Sequence, residues 1–419
     1  MSEFILTNAR ILDAGKGKLV KGQQVHVKGN RFVSVGSRID ALPDVRRFNL
    51  GGRILMPGLI DCHVHITSIK TRWANKTFMH MPASLAYAET TVKLCKLLNR
   101  GFTTVRDAGG ADMGHREAVA EGLATGPRLF VSGRSISQTG GHGDQRNRVD
   151  QPRPTVSSHF LAGVTGCRRI ADGVAEVRRA VRDEVRLGSD QIKLQVNGGV
   201  GSPADPIHFL QYSMEELRAA VEEANNAHTY VLAHAYTAAA VYRAVDAGIR
   251  SIEHGNFLDK RAADLMAERG AYFVPTLVAY EATMKHGLAQ GYPQENYKKN
   301  AIVLEVGTKS LEVAKAAGVP MAFGTDLIGE LDDFQSDEFL IRNRVLQNAE
   351  IIRSATTVAA EVLRRPGELG VIAPGAFADA LVLDKDPLVD ISVLASNGAD
   401  FRAIIRDGKI HKDDIGLWG

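Results

Sequence analysis

Between residues 58 and 326 the chain alternates short apolar runs of β type with amphipathic helical patterns, and this alternation restricts the possible fold. Candidate strands lie at 58–65, 103–107, 129–133, 191–196, 230–235, 251–254, 272–277 and 320–326. Several helical patterns end in a glycine directly before the next strand, as at Gly101 and Gly188. The pattern predicts an α/β fold, a (β/α)8 barrel of TIM type. A doubly wound sheet alternates in the same way, but the count of eight favours the barrel.

Both ends of the chain have a different character, because they are rich in β-type residues and turns. Residues 4–11, 25–28 and 32–35 read as strands near the start, and 380–384 and 403–409 read as strand, turn and strand near the end. We therefore predict one small β-sandwich domain built from residues 1–56 and 373–419. Residues 57–372 would form the barrel between them.

Composition excludes several classes of partner. The chain has 419 residues, a net charge of +3 and no basic run, which argues against nucleic acid. The chain contains no run of about 18 apolar residues, so no membrane span is predicted. The N-terminus does not resemble a signal peptide. Three scattered cysteines, Cys62, Cys95 and Cys167, fit a reduced compartment. We expect a cytoplasmic protein that acts on a small molecule.

The first candidate strand ends in two histidines one residue apart, His63 and His65. Side chains alternate between the faces of a strand, so both imidazoles point the same way, about 6–7 Å apart along the strand. Such a pair can bind one metal ion. Two structural histidines in a barrel core are the alternative interpretation.

Other polar side chains lie at the ends of later strands. His234 ends the fifth strand, His254 the sixth and Asp326 the eighth. Alone, each has an ordinary explanation, as a hydrogen-bonded core histidine or a helix cap. Because catalytic residues of barrels sit at the carboxyl ends of strands, their joint occurrence predicts a metal centre there.

Lys193 lies within the fourth strand, where the alternation of Ile192, Leu194 and Val196 on the helix side predicts that it points inward. Burial disfavours the charged ammonium, and a neutral amine can react with carbon dioxide to give a carbamate. A carbamate can bridge two metal ions and offsets their charge, which an ammonium would increase. The alternative is an ammonium paired with a nearby carboxylate.

This ordered set resembles the amidohydrolase superfamily, and the resemblance extends over nearly the whole chain, including segments 52–61 and 374–380. It implies two divalent metal ions, expected to be Zn²⁺. His63, His65 and Asp326 would bind one ion, and His234 and His254 the other. Carboxylated Lys193 would bridge both. The resemblance also suggests a homo-oligomer.

Four segments are similar to a narrower, imidazolonepropionase-related branch of metal-dependent prolidases (Xaa-Pro dipeptidases), Lys/Arg carboxypeptidases and ochratoxin-type amidases. They are 101–110, 140–143, 232–236 and 252–256. The resemblance implies a catalytic and substrate-binding role for His142, which would donate to the developing oxyanion, and substrate binding by Tyr236. A solvated loop histidine and packing at the barrel rim are the alternatives for these two residues. Arg106 and Arg134 lie near strand ends and are candidates either for the substrate carboxylate or for structural ion pairs.

The most specific hypothesis is a binuclear metal-dependent Xaa-Pro dipeptidase (prolidase) that cleaves dipeptides or N-acyl amino acids next to a free carboxylate. Asp326 would take the proton from the attacking water and pass it to the leaving nitrogen. A Lys/Arg carboxypeptidase and an ochratoxin-type amidase are the alternatives within the branch. A cyclic-amide hydrolase shares the full ligand set, whereas related deaminases usually lack the bridging lysine. A non-catalytic scaffold is disfavoured because no ligand is missing.

Overall fold

The computed structural model describes residues 3–40, 44–69, 82–144, 168–202 and 205–417. Its strands are β1 (Glu3–Asp13), β2 (Lys18–Lys28), β3 (Arg31–Gly36), β4 (Arg46–Asn49), β5 (Ile54–Pro57), β6 (Leu59–Val64), β7 (Phe102–Asp107), β8 (Arg128–Phe130), β9 (Ser135–Ser137), β10 (Arg168–Ile170), β11 (Ile192–Gln195), β12 (Val231–Thr237), β13 (Ser251–Phe257), β14 (Tyr272–Val274), β15 (Ala380–Leu383), β16 (Phe401–Arg406) and β17 (Lys409–Asp413). Its α-helices are α1 (Ala83–Asn99), α2 (Met113–Ala120), α3 (Gly173–Arg186), α4 (Met214–Asn226), α5 (Ala238–Asp246), α6 (Lys260–Arg269), α7 (Leu277–His286), α8 (Gln294–Ala317), α9 (Asp337–Arg342), α10 (Asn348–Ser354) and α11 (Thr357–Val362).

Both ends of the chain contribute to one mixed sheet, in the order β17-β16-β15-β5-β1-β2-β3, with β4 also paired to β1. The contact between the two ends is antiparallel, with Leu381 of β15 opposite Met56 of β5. Apolar side chains from both ends of the sheet, such as Val27 and Ile405, pack into one core. This sheet agrees with the prediction of a β domain built from both termini. Its strands pair in one continuous ladder, however, and do not form the two separate sheets of a sandwich.

The middle of the chain is α/β, and its strands pair in parallel. They form a sheet of order β10-β9-β11-β12-β13-β14 and a second sheet of order β6-β7-β8. Helices cover the apolar side, where Ile192 and Leu194 of β11 pack with Val177 of α3 and Leu217 of α4. The sequence Ser213-x-x-Glu216 is a capping-box pattern, and in the structure the two side chains bond reciprocally at the start of α4.

The predicted eighth strand differs from expectation. Residues 320–326 form only an isolated bridge, between Met321 and Phe273 of β14. Backbone hydrogen bonds also join Ala322 to Phe273 and Phe323 to Cys62 of β6, so this segment touches an edge of each parallel sheet. Pro320 lacks an N–H for a ladder, and Asp326 has a φ of 52°. In the described residues, one closed sheet of eight strands is therefore not formed.

Two simpler expectations concern cysteines and membranes. Cys62 and Cys95 are free thiols, and Cys167 lies outside the described residues. Within the described ranges, no helix combines the length and apolar character that crossing a bilayer requires.

Candidate active site

Four of the predicted residues converge where β6, β13 and the segment after Phe323 meet. Asp326 Oδ1 lies 3.4 Å from His63 Nε2 and 3.2 Å from His65 Nε2. Asp326 Oδ2 lies 3.9 Å from His254 Nδ1. His63 in β6 and His65 just after it thus direct their imidazoles to the same side, as the alternation predicts. The carboxylate lies between imidazoles from two strands.

This group has the composition and spacing of a metal site. One ligand atom each from His63, His254 and Asp326 lie within 4.8 Å of one another. The His234 ring is 4.7 Å from the His254 ring, so a further imidazole adjoins the group. Nitrogen and carboxylate ligands at this spacing fit a divalent ion such as zinc.

The protonation states also suit a cation. Burial holds the pKa of His234 and of His254 well below the usual value for histidine, which keeps their nitrogen lone pairs available. Burial alone would raise the pKa of Asp326, but His63 and a hydrogen bond from His65 hold it well below its usual value. Burial would lower the pKa of His63, but Asp326 and Glu253 raise it. The neutral imidazoles of the site are therefore those of His234 and His254, and the Asp326 carboxylate is ionised.

Lys193 points away from the helices, as predicted, and its side chain is only 2% exposed. Burial lowers the pKa of its amine from 10.5 to about 8. Among the residues that the structure describes, no carboxylate oxygen lies within 4 Å of Lys193 Nζ. Lys193 is therefore not paired with a carboxylate at salt-bridge distance, which was the alternative considered above. A buried amine of this kind fits a carbamate ligand.

Each of three site histidines is fixed through its Nδ1 atom. His63 Nδ1 lies 2.7 Å from Glu253 Oε2, His65 Nδ1 2.7 Å from the carbonyl oxygen of Gly109, and His254 Nδ1 2.7 Å from Thr276 Oγ1. Partners of this type orient an imidazole and select its tautomer.

Glu253 and Asp61 are buried carboxylates at the site that the sequence analysis did not single out. Arg106 Nη2 donates to Glu253 Oε1 at 2.8 Å, and both side chains are fully buried. Burial would raise the pKa of Glu253, but Arg106 and His63 hold it far below its usual value. Asp61 Oδ1 accepts from the His63 N–H at 2.9 Å. The signal in the sequence for Glu253 is its position in segment 252–256 (Ile-Glu-His-Gly-Asn), one of the four segments similar to the prolidase branch.

Arg106 and Arg134 are engaged in internal ion pairs. Arg106 also donates to the carbonyl oxygen of Cys62 at 2.6 Å, so its guanidinium is committed to the protein interior. Arg134 bonds Glu184 at 2.9 Å. The structural ion pair is therefore the interpretation that the geometry supports for both arginines, not a contact with a substrate carboxylate.

His142 lies against the site rather than in solvent. Its ring stacks on that of His234, with centroids 4.2 Å apart and an interplanar angle of 10°. Its Nδ1 atom is 2.8 Å from Ser202 Oγ and 3.2 Å from Asp205 Oδ2. The alternative of a solvated loop histidine is thus wrong.

Tyr236 stacks on His254, with ring centroids 5.2 Å apart, and its hydroxyl lies 3.2 Å from that of Tyr280. Burial raises the pKa of Tyr236 well above 10, so the phenol keeps its proton. The tyrosine is a neutral hydrogen-bonding group beside the imidazoles.

Comparison with known proteins agrees with this arrangement. The sequence matches the Amidohydrolase family over residues 54–412. Ochratoxinase from Aspergillus niger is 32% identical, and the alignment covers 98% of this chain and 87% of that protein. A crystal structure of an amidohydrolase is 45% identical with a TM-score of 0.95, covering 99% of this chain and 100% of that one. A crystal structure of a prolidase complexed with N-methylphosphonate-L-proline is 48% identical with a TM-score of 0.94, covering 98% and 100%.

These likenesses confirm the predicted superfamily and its prolidase-like branch, as well as the prediction of a hydrolase that acts on amide bonds. The family match extends over most of the chain and includes every converging side chain described above. This chain belongs to the amidohydrolase family.

Proposed function

We propose that this protein is a metal-dependent Xaa-Pro dipeptidase. The observation that carries the proposal is the 48% identity, over 98% of the chain, to a prolidase whose structure contains N-methylphosphonate-L-proline. That compound is a tetrahedral analogue of an amide on proline, and analogues of this kind bind sites built for the transition state. The substrate class would be dipeptides that end in proline.

We infer that two divalent ions, expected to be Zn²⁺, bind the converged side chains. His63, His65 and Asp326 would hold one ion and His234 and His254 the other. When bound, such ions activate water as a nucleophile and polarise the scissile carbonyl. The buried lone pairs and the ionised carboxylate described above support this ligand set.

Lys193 would bridge the ions as a carbamate. Its neutral amine adds to carbon dioxide, a C–N bond forms, and one proton is released to solvent. The product is an anion with two oxygens. The deep burial of Lys193 and the absence of a carboxylate within 4 Å in the described residues support this modification.

The remaining chemistry belongs to three side chains. The Asp326 carboxylate would accept a proton from the attacking water and deliver it to the proline nitrogen, which must be protonated to leave. The His142 imidazole would donate to the carbonyl oxygen as negative charge develops there. Tyr236, whose phenol keeps its proton, would donate to the substrate carbonyl or carboxylate.

A substrate panel tests this function. Zinc-loaded enzyme is assayed against Xaa-Pro, Xaa-Lys and Xaa-Arg dipeptides, N-acyl amino acids, and a hydantoin and a dihydropyrimidine as cyclic amides. We expect the highest kcat/KM for Xaa-Pro, and metal analysis should give two equivalents per chain. Cleavage restricted to Xaa-Lys and Xaa-Arg would contradict the proline assignment. Turnover of the cyclic amides alone would indicate a cyclic-amide hydrolase.

An N-acyl amino acid amidase is the second candidate, because Aspergillus niger ochratoxinase is 32% identical over 98% of the chain. Both candidate reactions cleave an amide beside a free carboxylate, and the residues named above would serve either one. Ochratoxin A belongs in the panel for this reason, and a higher kcat/KM for it than for any Xaa-Pro dipeptide would favour the amidase.

Three structural features belong to the same proposal. We propose that residues 57–372 form one (β/α)8-type barrel domain, in which backbone bonds of segment 320–326 join the two parallel sheets in place of a regular eighth strand. Residues 1–56 with 373–419 would form the second domain, built on the terminal sheet. We also expect a homo-oligomer, which sedimentation would test.

A further inference from the structure

The connection that follows β11 folds back over the candidate site. The Gly198 N–H donates to the Phe209 carbonyl oxygen at 2.9 Å, and the Gln211 N–H donates to that of Val196 at 2.9 Å. Asn197 Nδ2 donates to the carbonyl oxygens of Ile207 and Phe209. This connection carries Ser202 and Asp205, which the sequence analysis did not consider.

Asp205 is a buried carboxylate, 1% exposed, that is directed at His142. Its Oδ2 atom lies 3.2 Å from His142 Nδ1 and accepts from the Gly199 N–H at 2.9 Å. Ser202 Oγ donates to Asp205 Oδ1 and lies 2.8 Å from His142 Nδ1. Because the serine proton is directed at the carboxylate, Ser202 Oγ offers His142 a lone pair. Both neighbours of Nδ1 are therefore acceptors, and Nδ1 must carry the hydrogen.

Further contacts restrict the ring in the other directions. Gln211 Oε1 accepts from the backbone N–H of His142 at 3.0 Å, which fixes the main chain that carries the ring. A Cβ atom at Gly199 would lie 2.0 Å from His142 Cε1, so the ring rests directly on the Gly199 backbone. His234 covers one ring face. The imidazole is enclosed by partners from several segments, which is the arrangement expected of a group that must be held in one orientation.

The connection is itself anchored by a cation. Lys299 of α8 donates through Nζ to the carbonyl oxygens of Gly199, Ser202 and Asp205, at 3.1, 3.0 and 3.0 Å. An ammonium satisfied by three converging carbonyls fixes the backbone that presents both acceptors to His142.

We propose that Asp205, acting with Ser202, is the positioning residue of His142, fixing the orientation of its imidazole and the hydrogen on Nδ1. The inference rests on the proposed function, because His142 acts on the substrate carbonyl only in that reaction. With Nδ1–H held by these acceptors, donation to the substrate oxygen would come from Nε2–H of the ring protonated at both nitrogens. The carboxylate at Nδ1 supplies the balancing charge, which the isosteric amide lacks.

The experiment compares wild type with Asp205→Asn and Ser202→Ala, all zinc-loaded. Asp264→Asn, on the exposed surface of α6, is the matched control. Three quantities are measured: kcat and KM for an Xaa-Pro dipeptide, the inhibition constants of an N-methylphosphonyl-proline and of free proline, and the ¹⁵N–¹H correlations of the His142 ring. Comparison with His142→Gln assigns those correlations.

We expect Asp205→Asn to lower kcat about 10²-fold with little change in KM. Affinity for the phosphonate should fall in parallel with kcat, whereas affinity for proline stays unchanged. The Nδ1–H signal of His142 should be present in wild type and in the control, and be lost or shifted in Asp205→Asn. Ser202→Ala should have the same effects at smaller size.

Two results would overturn the proposal. One is an Asp205→Asn enzyme with wild-type kcat and an unchanged Nδ1–H signal. The other is a loss of kcat that merely follows a lower melting temperature and zinc content, which would make Asp205 a folding residue. If wild type cleaves no Xaa-Pro dipeptide, the proposed function fails, and the ring signals still decide whether Asp205 positions His142.

Discussion

The Lys193 amine is the single group on which the proposed binuclear chemistry depends most. It is buried, and no carboxylate oxygen of the described residues lies within 4 Å of its Nζ atom, although Glu253 and Asp326 act on its charge from further away. A lysine in these surroundings has little structural value, because no ion pair offsets the loss of its hydration. Its presence is explained by the modification we propose.

Lys193→Ala should therefore lower kcat/KM by about 10³-fold or more, because one bridging ligand serves both ions. Acetate or propionate should restore part of the activity by supplying a carboxylate to the vacated space. Activity and metal content are measured with and without the acid. Lys298→Ala, on the exposed face of α8, is the control, and full activity of Lys193→Ala without any acid would contradict the bridging role.

Glu253 controls His63 in a different way, through a buried hydrogen bond of 2.7 Å. Glu253→Gln should weaken zinc binding by about 10–100-fold, as expected for partners of metal-binding histidines. It should also lower the free energy of unfolding by about 3 kcal/mol, because Arg106 keeps its charge in the interior without a countercharge. Zinc titration and urea denaturation measure the two effects separately, with the exposed Glu121→Gln as control. Unchanged zinc affinity would limit Glu253 to a structural role.

At the level of elements, the connection after β11 and helix α8 act together on His142. The three carbonyl bonds of Lys299 and the close approach of Gly199 determine how far this connection lies from the His142 ring. Its effect on the site is thus a matter of backbone placement as well as of side chains.

Gly199→Ala tests that placement. The added Cβ would contact the His142 ring at 2.0 Å, which no ordinary adjustment accommodates, so the ring must move. We expect kcat to fall about 10²-fold with KM changed little. Gly201→Ala is a matched control in the same connection, since a Cβ there meets nothing within 4 Å. Equal activity of the two variants would show that the position of the His142 ring is unimportant.

For the whole molecule, polar contacts join the terminal sheet to the α/β layers. Arg128 of β8 bonds both Asp379 and Asp407, and its guanidinium lies 3.8 Å from the ring centroid of Phe377. Within the α/β layers, Glu338 and Arg342 of α9 form a fully buried ion pair. Arg342 Nη2 donates to the carbonyl oxygens of Pro275 and Ala322.

The Glu338 pair makes global stability depend on pH. Burial raises the pKa of Glu338 from 4.5 to about 7, although Arg342 and the Val278 N–H oppose this. A carboxyl with a raised pKa contributes stability that is complete below pH 4.5 and is lost as the pH rises through about 7. Wild type should therefore lose about 2–3 kcal/mol more than Glu338→Gln between pH 4.5 and 8. Urea denaturation of both proteins across this range measures the difference, and parallel curves would contradict it.

Much of the architecture was predictable because it depends on local patterns. Periodicity predicts the alternation of strands and helices, the positions of β6, β7 and β11–β13, and the inward face of Lys193. The capping box at Ser213 follows from its own short residue pattern. The strand predicted at 320–326 is irregular, because its backbone forms hydrogen bonds to the edge strands of two different sheets and turns sharply at Asp326. Periodicity contains no information on such long-range bonding.

The sequence alone determined which residue types stand at the strand ends, and with them the family and the chemistry. Only the tertiary structure decided how they meet. Strict alternation places Glu253 and His254 on opposite faces, yet Glu253 bonds His63 and the His254 ring lies 5.0 Å from the His63 ring. The backbone turns at His254, with a φ of 76°, and so brings both side chains inward. Likewise, Asp205 meets His142 across 63 residues of chain. The reason is physical: side-chain direction along a strand is set locally, whereas contacts between distant segments depend on the packing of the whole chain.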